Sequence, residues 1–467
     1  MTENLSRTKA NVWDANENTK REVFEFSEGY KKFLDKGKTE RESVEAIITL
    51  AEREGFKNLD HFVENHIKIK PGDKVYAQFK GKQAILFKMG STDPEKGFLV
   101  VGSHIDAPRL DLKQSPLYED GKLAFFKTHY YGGIKKYQWI TMPLALHGVV
   151  VKEDGTKINV SVGEEDGDPV FFITDLLPHL SKEQNEKKIS EAIEGEMLNV
   201  LMGSMPHEDK GKKERFKDAI LSLLNEKYNI VEEDFISSEF EIVPAGKARD
   251  AGLDRSMIGA YGQDDRVCAY ASLMAAFHAE NSGKSIMAVF ADKEEIGSVG
   301  DTSMSSKFFE NFIYEVLQNS AEGNIELIFR RSLQRSKFLS ADVNAAMDPN
   351  FPNTHDKYNG ACLGEGVVIT KYTGSRGKSS SNDAHPEFLA EIRGLFNKNK
   401  IIWQIGELGK IDLGGGGTIA FIPAVYGMDV LDCGIALLSM HSPWELASKG
   451  DVHMLYKAFK AFFESNL

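Results

Sequence analysis

The stretch GFLVVGSHID, residues 97–106, is a continuous apolar run that breaks at once into polar residues. A strand of that composition has to be buried on both faces, and in α/β sheets ligands gather at the carboxyl end of such strands. SIMAVFADKEEIGS, KFLSADV, GVVITKY, KIIWQIGE and VLDCGIALLSMHS continue the pattern of apolar strands. They alternate with RVCAYASLMAAFHAE, SKFFENFIYEVLQNS, EFLAEIRGLFNKN and VHMLYKAFKAFFESN, whose apolar residues recur at helical spacing. Alternation of this kind specifies an α/β fold, a mostly parallel sheet sandwiched by helices. Two more helical patterns, REVFEFSEGYKKFLDKG and TERESVEAIITLAEREGF, and two alternating strands, DKVYAQF and QAILFKMG, precede GFLVVGSHID.

From about residue 113 the texture changes. KLAFFKTHYYGG, KYQWITMPLALHGVVVKEDGTKINVSV and PVFFITDLLPHL are β-rich and aromatic, with turn signals at EDG and EEDGD, and residues 182–230 are charged with a helical pattern. Residues 113–246 therefore read as an inserted, β-rich domain, which leaves 1–112 and 247–467 as the two parts of the α/β domain. A chain of 467 residues is long enough for both.

A formal charge of −13 argues against nucleic acid as a partner, because phosphates would be repelled. No segment approaches 18 consecutive apolar residues, and the polar N-terminus MTENLSRTKANVWDANENTKREVF lacks a signal-peptide pattern; a cytoplasmic protein with no membrane span is expected. Cys268, Cys362 and Cys433 are far apart and form no CxxC, so free thiols are expected.

Several strands leave the core through metal-ligand residue types. Leu99–Gly102 lead into His104 and Asp106, Ile286–Phe290 into Glu294 and Glu295, Phe338–Ala341 into Asp342, and Leu437–Met440 into His441. The loop GQDDRV adds Asp264 before a helix. His, Asp, Glu, Asp and His without thiolate suit zinc, with cobalt or manganese as the other ions such a set holds. Five ligands exceed one structural zinc but suit two divalent ions sharing a bridging carboxylate. Glu294, adjacent to the ligand Glu295, is placed to act as general base, provided the chain there leaves the regular strand, where neighbouring side chains would oppose each other. Asp106 is placed to bond the ring nitrogen of His104 that a metal does not use. Taken singly, each of these short motifs is more often a solvated pair or a helix cap; their coincidence at strand exits carries the reading.

SHIDAPR, GQDDRV, ADKEEIGS, LSADV and LSMHSPWE resemble, in order and over nearly the whole chain, the metal-site blocks of the M18 metallo-aminopeptidases, the aspartyl aminopeptidase and aminopeptidase I family. The resemblance implies hydrolysis of the N-terminal peptide bond of peptides. It makes His104 and Asp342 terminal ligands of one ion and Glu295 and His441 of the other, with Asp264 bridging and Glu294 as base. It further implies a cis peptide between Asp264 and Asp265, and a homo-oligomer in which the insertion forms dimers that assemble into a tetrahedral dodecamer. MPLALH resembles the block whose histidine reaches a neighbouring subunit's site, which would make His147 a substrate and transition-state contact.

The chain also departs from the family. ADVNAAMDPNF carries Asn344 and Asp348 where many eukaryotic members have histidines, and Thr370, followed by Lys371, stands where aspartyl-specific members place a lysine. A neutral or broad N-terminal preference is expected over a strictly acidic one. Glycines 414–417 lack the context of a phosphate loop; Gly416, Gly417 and Thr418, before a helix expected at GTIA, either line the substrate pocket with backbone amides or make a plain turn. The competing readings are a metal-dependent deacylase or endopeptidase on the same sheet, and a non-enzymatic assembly or cargo protein that only inherited the shell.

Overall fold

The computed structural model describes residues 10–280, 283–373, 376–379 and 381–467; the first nine residues of the polar N-terminus lie outside them. The chain divides into two compact units, one comprising Met1–Asp106, Ala248–Met440 and Glu445–Leu467, the other Ala107–Lys247 and His441–Trp444.

The first unit is built on a nine-stranded sheet. Its centre is four parallel strands in the spatial order β2 (Ile286–Ala291), β1 (Leu99–His104), β3 (Lys337–Ser340) and β5 (Asp429–Gly434). Beyond β5 the strand β4 (Val367–Thr370) runs antiparallel, followed by Trp403–Ile405 parallel to it. On the other side Gln83–Lys88 pairs antiparallel with β2, Lys74–Phe79 antiparallel with Gln83–Lys88, and Lys57–Asn58 parallel with Lys74–Phe79. The sheet is thus mixed, with a parallel centre. Alternate residues feed two separate cores. Leu99, Val101, Leu339 and Leu431 pack on one face with Val267, Leu273, Leu455 and Phe459 of the helices α1 (Gln263–His278) and Lys449–Phe463. Val100, Phe338 and Val430 pack on the other with Phe309, Phe312 and Val316 of Phe308–Ser320. The strand β1 is buried along its whole length, as its apolar run requires.

VLDCGIALLSMHS, which reads as one strand, is two. Asp429–Gly434 belongs to the nine-stranded sheet, whereas Ala436–Leu438 joins a five-stranded sheet with Asn344–Ala345, Glu445–Ser448, Met257–Ala260 and Arg249–Ala251. The chain changes sheets at Gly434, where a Cβ would fall 1.8 Å from the backbone oxygen of Asp342. Only glycine lets the two backbones pass at that distance.

The second unit holds a six-stranded sheet, all antiparallel, in the order Lys157–Val162, Leu144–Val151, Ser238–Pro244, Arg109–Asp120, Leu123–Tyr131, Val200–Gly203. The helical pattern expected over 182–230 is realised in pieces only: Lys182–Asn185, Ile189–Ala192 and Arg215–Tyr228 are helical, and Val200–Gly203 is a strand. Gly195, Gly203, Pro206 and Gly211 interrupt the charged periodicity and prevent one long helix.

Candidate metal centre

His104 is the last residue of β1 and shares its strand face with Val100 and Gly102. Its Nδ1 lies 3.0 Å from the carbonyl oxygen and 3.2 Å from Oδ1 of Asp106. With Nδ1–H donating there, Nε2 is the ring nitrogen that faces the carboxylates, Asp264 Oδ1 at 3.3 Å and Glu294 Oε2 at 3.9 Å, and it is the one that would bind a metal. Asp106 does more than orient this ring. Its Oδ1 accepts the Glu294 N–H and its Oδ2 the Glu295 N–H, each at 3.2 Å. One buried carboxylate therefore ties the exit of β1 to the exit of β2.

Beyond β2 the chain leaves extended geometry, as the roles of Glu294 and Glu295 require. Lys293 is left-handed with φ of 64°, Glu294–Ile296 form one 3₁₀ turn, and Gly297 closes it with φ of 92°. Asp264 and Asp265 sit at the start of α1 with non-helical dihedrals, and the peptide bond between them is cis. Around them are partners that the motifs did not reveal. Glu445 accepts the Asp264 N–H at 3.0 Å, Asp265 Oδ2 accepts the His104 N–H at 3.4 Å, and the buried Arg266 donates to the carbonyls of Ile105 and Lys38 at 3.1 and 3.0 Å. The signal available was their place inside GQDDRV and SPWE.

Two groups result, His104 with Asp264 and Glu295, and His104 with Glu294 and Asp342; within each, one donor atom per residue lies within 4.8 Å of the others. Nitrogen and carboxylate oxygen donors at that spacing fit divalent transition ions. The electrostatics agree. Burial opposes a charge on His104, yet hydrogen bonds to Asp106 and Asp264 raise its pKa well above the usual imidazole range. Burial, then the charges of Asp265 and Glu294, push the Asp342 carboxyl far up. Such crowding of buried acids is what a cation relieves.

The other expected residues are not members of these two groups. His441 belongs to the second unit, follows a strand of the five-stranded sheet rather than of the main one, and has φ of 63° with Nδ1 2.8 Å from the carbonyl oxygen of Gly133. Donation from Nδ1 leaves Nε2 as its acceptor nitrogen. His147, also in the second unit, is buried on Leu144–Val151 with Nε2 3.3 Å from Glu164 Oε1. Thr370 ends β4, is 5% exposed, and accepts from Asn344 Nδ2 at 3.2 Å. Lys371 is half-exposed and pairs with Asp383 at 3.3 Å. Asp348 accepts from the Asn350 N–H at 2.8 Å, a turn contact.

Thr418 donates to Asp432 Oδ1 at 2.5 Å. The helix expected at GTIA begins only at Phe421 and runs to Val425; before it Thr418 Oγ1 accepts the Ala420 N–H at 3.2 Å, and the Ile422 N–H closes a turn onto the Ile419 carbonyl. Two of the four glycines have a packing reason: a Cβ at Gly414 would meet the Leu408 backbone oxygen at 2.3 Å, and one at Gly415 the Leu408 side chain at 2.5 Å. Around Gly416 there is open space, with nothing within 4 Å of a Cβ built there. Burial lifts the pKa of Asp432 to about 6 against the hydrogen bonds from Thr418 and Ser340.

Comparison with known proteins gives one consistent result. The M18 family, aminopeptidase I zinc metalloprotease, matches residues 33–463. A probable M18 family aminopeptidase 1 of Clostridium acetobutylicum is 52% identical over 100% of both chains. The crystal structure of an M18 family aminopeptidase from Thermotoga maritima has a TM-score of 0.94 at 46% identity, covering 98% of this chain and 100% of that one. The S. cerevisiae mApe1 dodecamer shares the fold at a TM-score of 0.76 and 21% identity, over 96% and 97% of the two chains.

Proposed function

Because this chain belongs to the M18 family of aminopeptidase I zinc metalloproteases, we propose that Glu294 is the general base of its reaction and that His104, Asp264, Glu295, Asp342 and His441 hold the two metal ions. The protein is a metallo-aminopeptidase, and its two His/Asp/Glu groups suit a dinuclear site of zinc or a related divalent ion. The observation that carries the assignment is the double hydrogen bond from the Glu294 and Glu295 amides to Asp106, which sets two neighbouring acids on one turn beside His104.

The ions, when bound, supply Lewis-acid activation of water and of the scissile carbonyl. The residues do the rest. Asp106 fixes the His104 tautomer and the height of the acidic turn. Glu294 takes a proton from the attacking water and returns it to the leaving amine, while Glu295, grouped with His104 and Asp264, would serve as a ligand.

Residues 113–246 we assign to a dimerisation domain and the chain to a cytoplasmic homo-oligomer, six dimers assembled into a tetrahedral dodecamer, with His147 entering a neighbour's site; the S. cerevisiae relative is likewise a dodecamer. Among the described residues no helix is long and apolar enough to cross a membrane. The pairing of Lys371 with Asp383 favours a neutral or broad N-terminal preference, with Thr370, Gly416, Gly417 and Thr418 around the substrate.

Glu294→Gln should retain both ions and lose turnover by about 10²- to 10⁴-fold, the ordinary range of a general base. Near-wild-type kcat in that variant sinks the assignment. N-acetylated peptides should not be cleaved; cleavage at rates equal to free peptides would mark a deacylase or endopeptidase instead.

A further inference from the structure

The segment that follows β2 is braced by a group of side chains to which the reaction above gives no part. Asp292 is 1% exposed, and its two oxygens are both engaged: Oδ1 accepts the Lys293 N–H at 2.8 Å, and Oδ2 accepts the Thr302 hydroxyl at 2.6 Å. The same Thr302 oxygen receives Lys293 Nζ at 2.5 Å, and that ammonium stands 3.3 Å from Asp292 Oδ2. Lys293 thus curls back over its own loop and touches a residue nine positions on. Backbone contacts close the loop as well, from Asp292 N–H to Thr302 O at 3.2 Å and from Ser298 N–H to Lys293 O at 2.7 Å. Gly300 leaves the room: a Cβ there would sit 3.0 Å from Lys293 Cδ.

Lys293 is the left-handed residue immediately before the acidic pair. A left-handed lysine is an uncommon conformation that persists only when its surroundings over-determine it. Any relaxation of its φ would rotate the following peptide, swing the Glu294 carboxylate away from His104, and pull the Glu294 and Glu295 amides off Asp106. A positioned base loses efficiency steeply with misplacement on the order of an ångström.

We propose that the Thr302 hydroxyl, bridging the Asp292 carboxylate and the Lys293 ammonium, is a positioning residue for the base Glu294 and the ligand Glu295, acting through the left-handed turn at Lys293. The proposal rests on the reading of Glu294 as base. Thr302 touches neither substrate nor ligand atoms; it holds a proton donor toward Asp292 and an acceptor toward Lys293, a pairing that only a hydroxyl of this reach satisfies. Valine matches its shape without either function, and serine keeps the hydroxyl without the methyl.

The test compares full-length Thr302→Val, Thr302→Ser and Glu294→Gln, loaded with cobalt and assayed on aminoacyl amides, with thermal melting and cobalt retention on dialysis as independent readouts. For Thr302→Val we expect kcat to fall about 10- to 100-fold and cobalt affinity about ten-fold, the usual span for a group that orients a ligand. KM should stay within about two-fold, because substrate binding is not what the turn controls. Thr302→Ser should recover most of both losses. Wild-type kcat and cobalt affinity in Thr302→Val overturn the proposal. So does a loss that serine does not restore, or one that only tracks the folded fraction in the melt. Should Thr302→Val fail to fold, Lys293→Met removes the ammonium from the same oxygen and is read by the same criteria. If Glu294→Gln stays active, the base assignment falls, and cobalt retention in Thr302→Val still decides whether Thr302 holds the turn.

Discussion

Two regions of the first unit were expected to carry function, and they are built on different principles. The exits of β1 and β2 are cross-braced: His104, Asp106, Glu294 and Glu295 are held by one another's backbone and by a carboxylate shared across 188 residues of sequence. The glycine-rich stretch has no side chains of its own to brace it, and open space adjoins Gly416; its ties gather at its end, where Thr418 bonds Asp432, Ser340 and the Ala420 N–H, and at the end of β4, where Thr370 pairs with Asp432 of β5 and accepts from Asn344. Chemistry that must place a proton acceptor is assigned to the rigid part, and chemistry that must accept different side chains to the loosely tied one. Contrast in bracing, more than residue type, separates the two tasks.

That contrast can be broken at four points. The largest effect is expected at Gly434, where alanine would drive its Cβ to 1.8 Å from the Asp342 backbone oxygen. Forcing the strands apart should cost about 3 kcal/mol of stability in denaturant unfolding, with metal retention falling in step. An unfolding free energy within about 0.5 kcal/mol of the parent would mean that the crossing tolerates a side chain after all. Next comes Asp106→Asn, which keeps the shape but replaces one of two acceptor oxygens that each face one amide. Its kcat should drop about 10- to 100-fold in steady-state assays; an unchanged kcat would remove the bracing argument.

The third point lies on the loosely tied side and is a matter of pH. Asp432 rises on folding from 3.8 to about 6 because it is buried. A raised carboxyl pKa means that the native state binds more protons than the unfolded chain, so stability is greatest below about pH 4 for this group and declines as pH climbs to about 6. Asp432→Asn should flatten the stability profile over that interval, as read by chemical denaturation at successive pH values. A profile with the same slope in both proteins would assign the titration elsewhere. The smallest effect is expected for Lys371→Ala, since its ammonium is half-exposed and engaged with Asp383. Activity on neutral and acidic N-terminal residues should change less than about two-fold, and a selective loss on acidic substrates would restore a recognition role for this lysine.

Much of the architecture was open to reading because a doubly buried strand cannot hide its composition. LVVGSH and IMAVFA announce both their burial and the place where the core ends, and the ligand types fall where the apolar run stops. What stayed closed depends on contacts between distant segments. No periodicity in VLDCGIALLSMHS tells that the chain changes sheets after Gly434, because both halves are equally apolar and the cause is the backbone of Asp342. The amide contacts of Asp106 are likewise invisible, since an HxD motif suggests only the contact two residues away. Thr302 carries no motif signal, and Arg266 and Glu445 lie inside GQDDRV and LSMHSPWE without a role that those blocks reveal; each is recognised by what it meets in space. The charged stretch 182–230 misleads for the opposite reason, its helical period being real but cut by glycine and proline.

The position of β1 has a consequence for how this protein is made. Its neighbours on the two sides are β2 and β3, which begin at Ile286 and Lys337, so the strand that ends in His104 leaves the ribosome long before either exists. Until then a largely apolar segment waits with both edges unpaired, the arrangement most exposed to wrong association. Closing contacts over such sequence distances is also the slow part of folding. Synthesis is therefore a period of vulnerability for this chain, and a translational pause placed before Ile286 would lengthen it, whereas one placed well after Ser340 would find both neighbours of β1 already made.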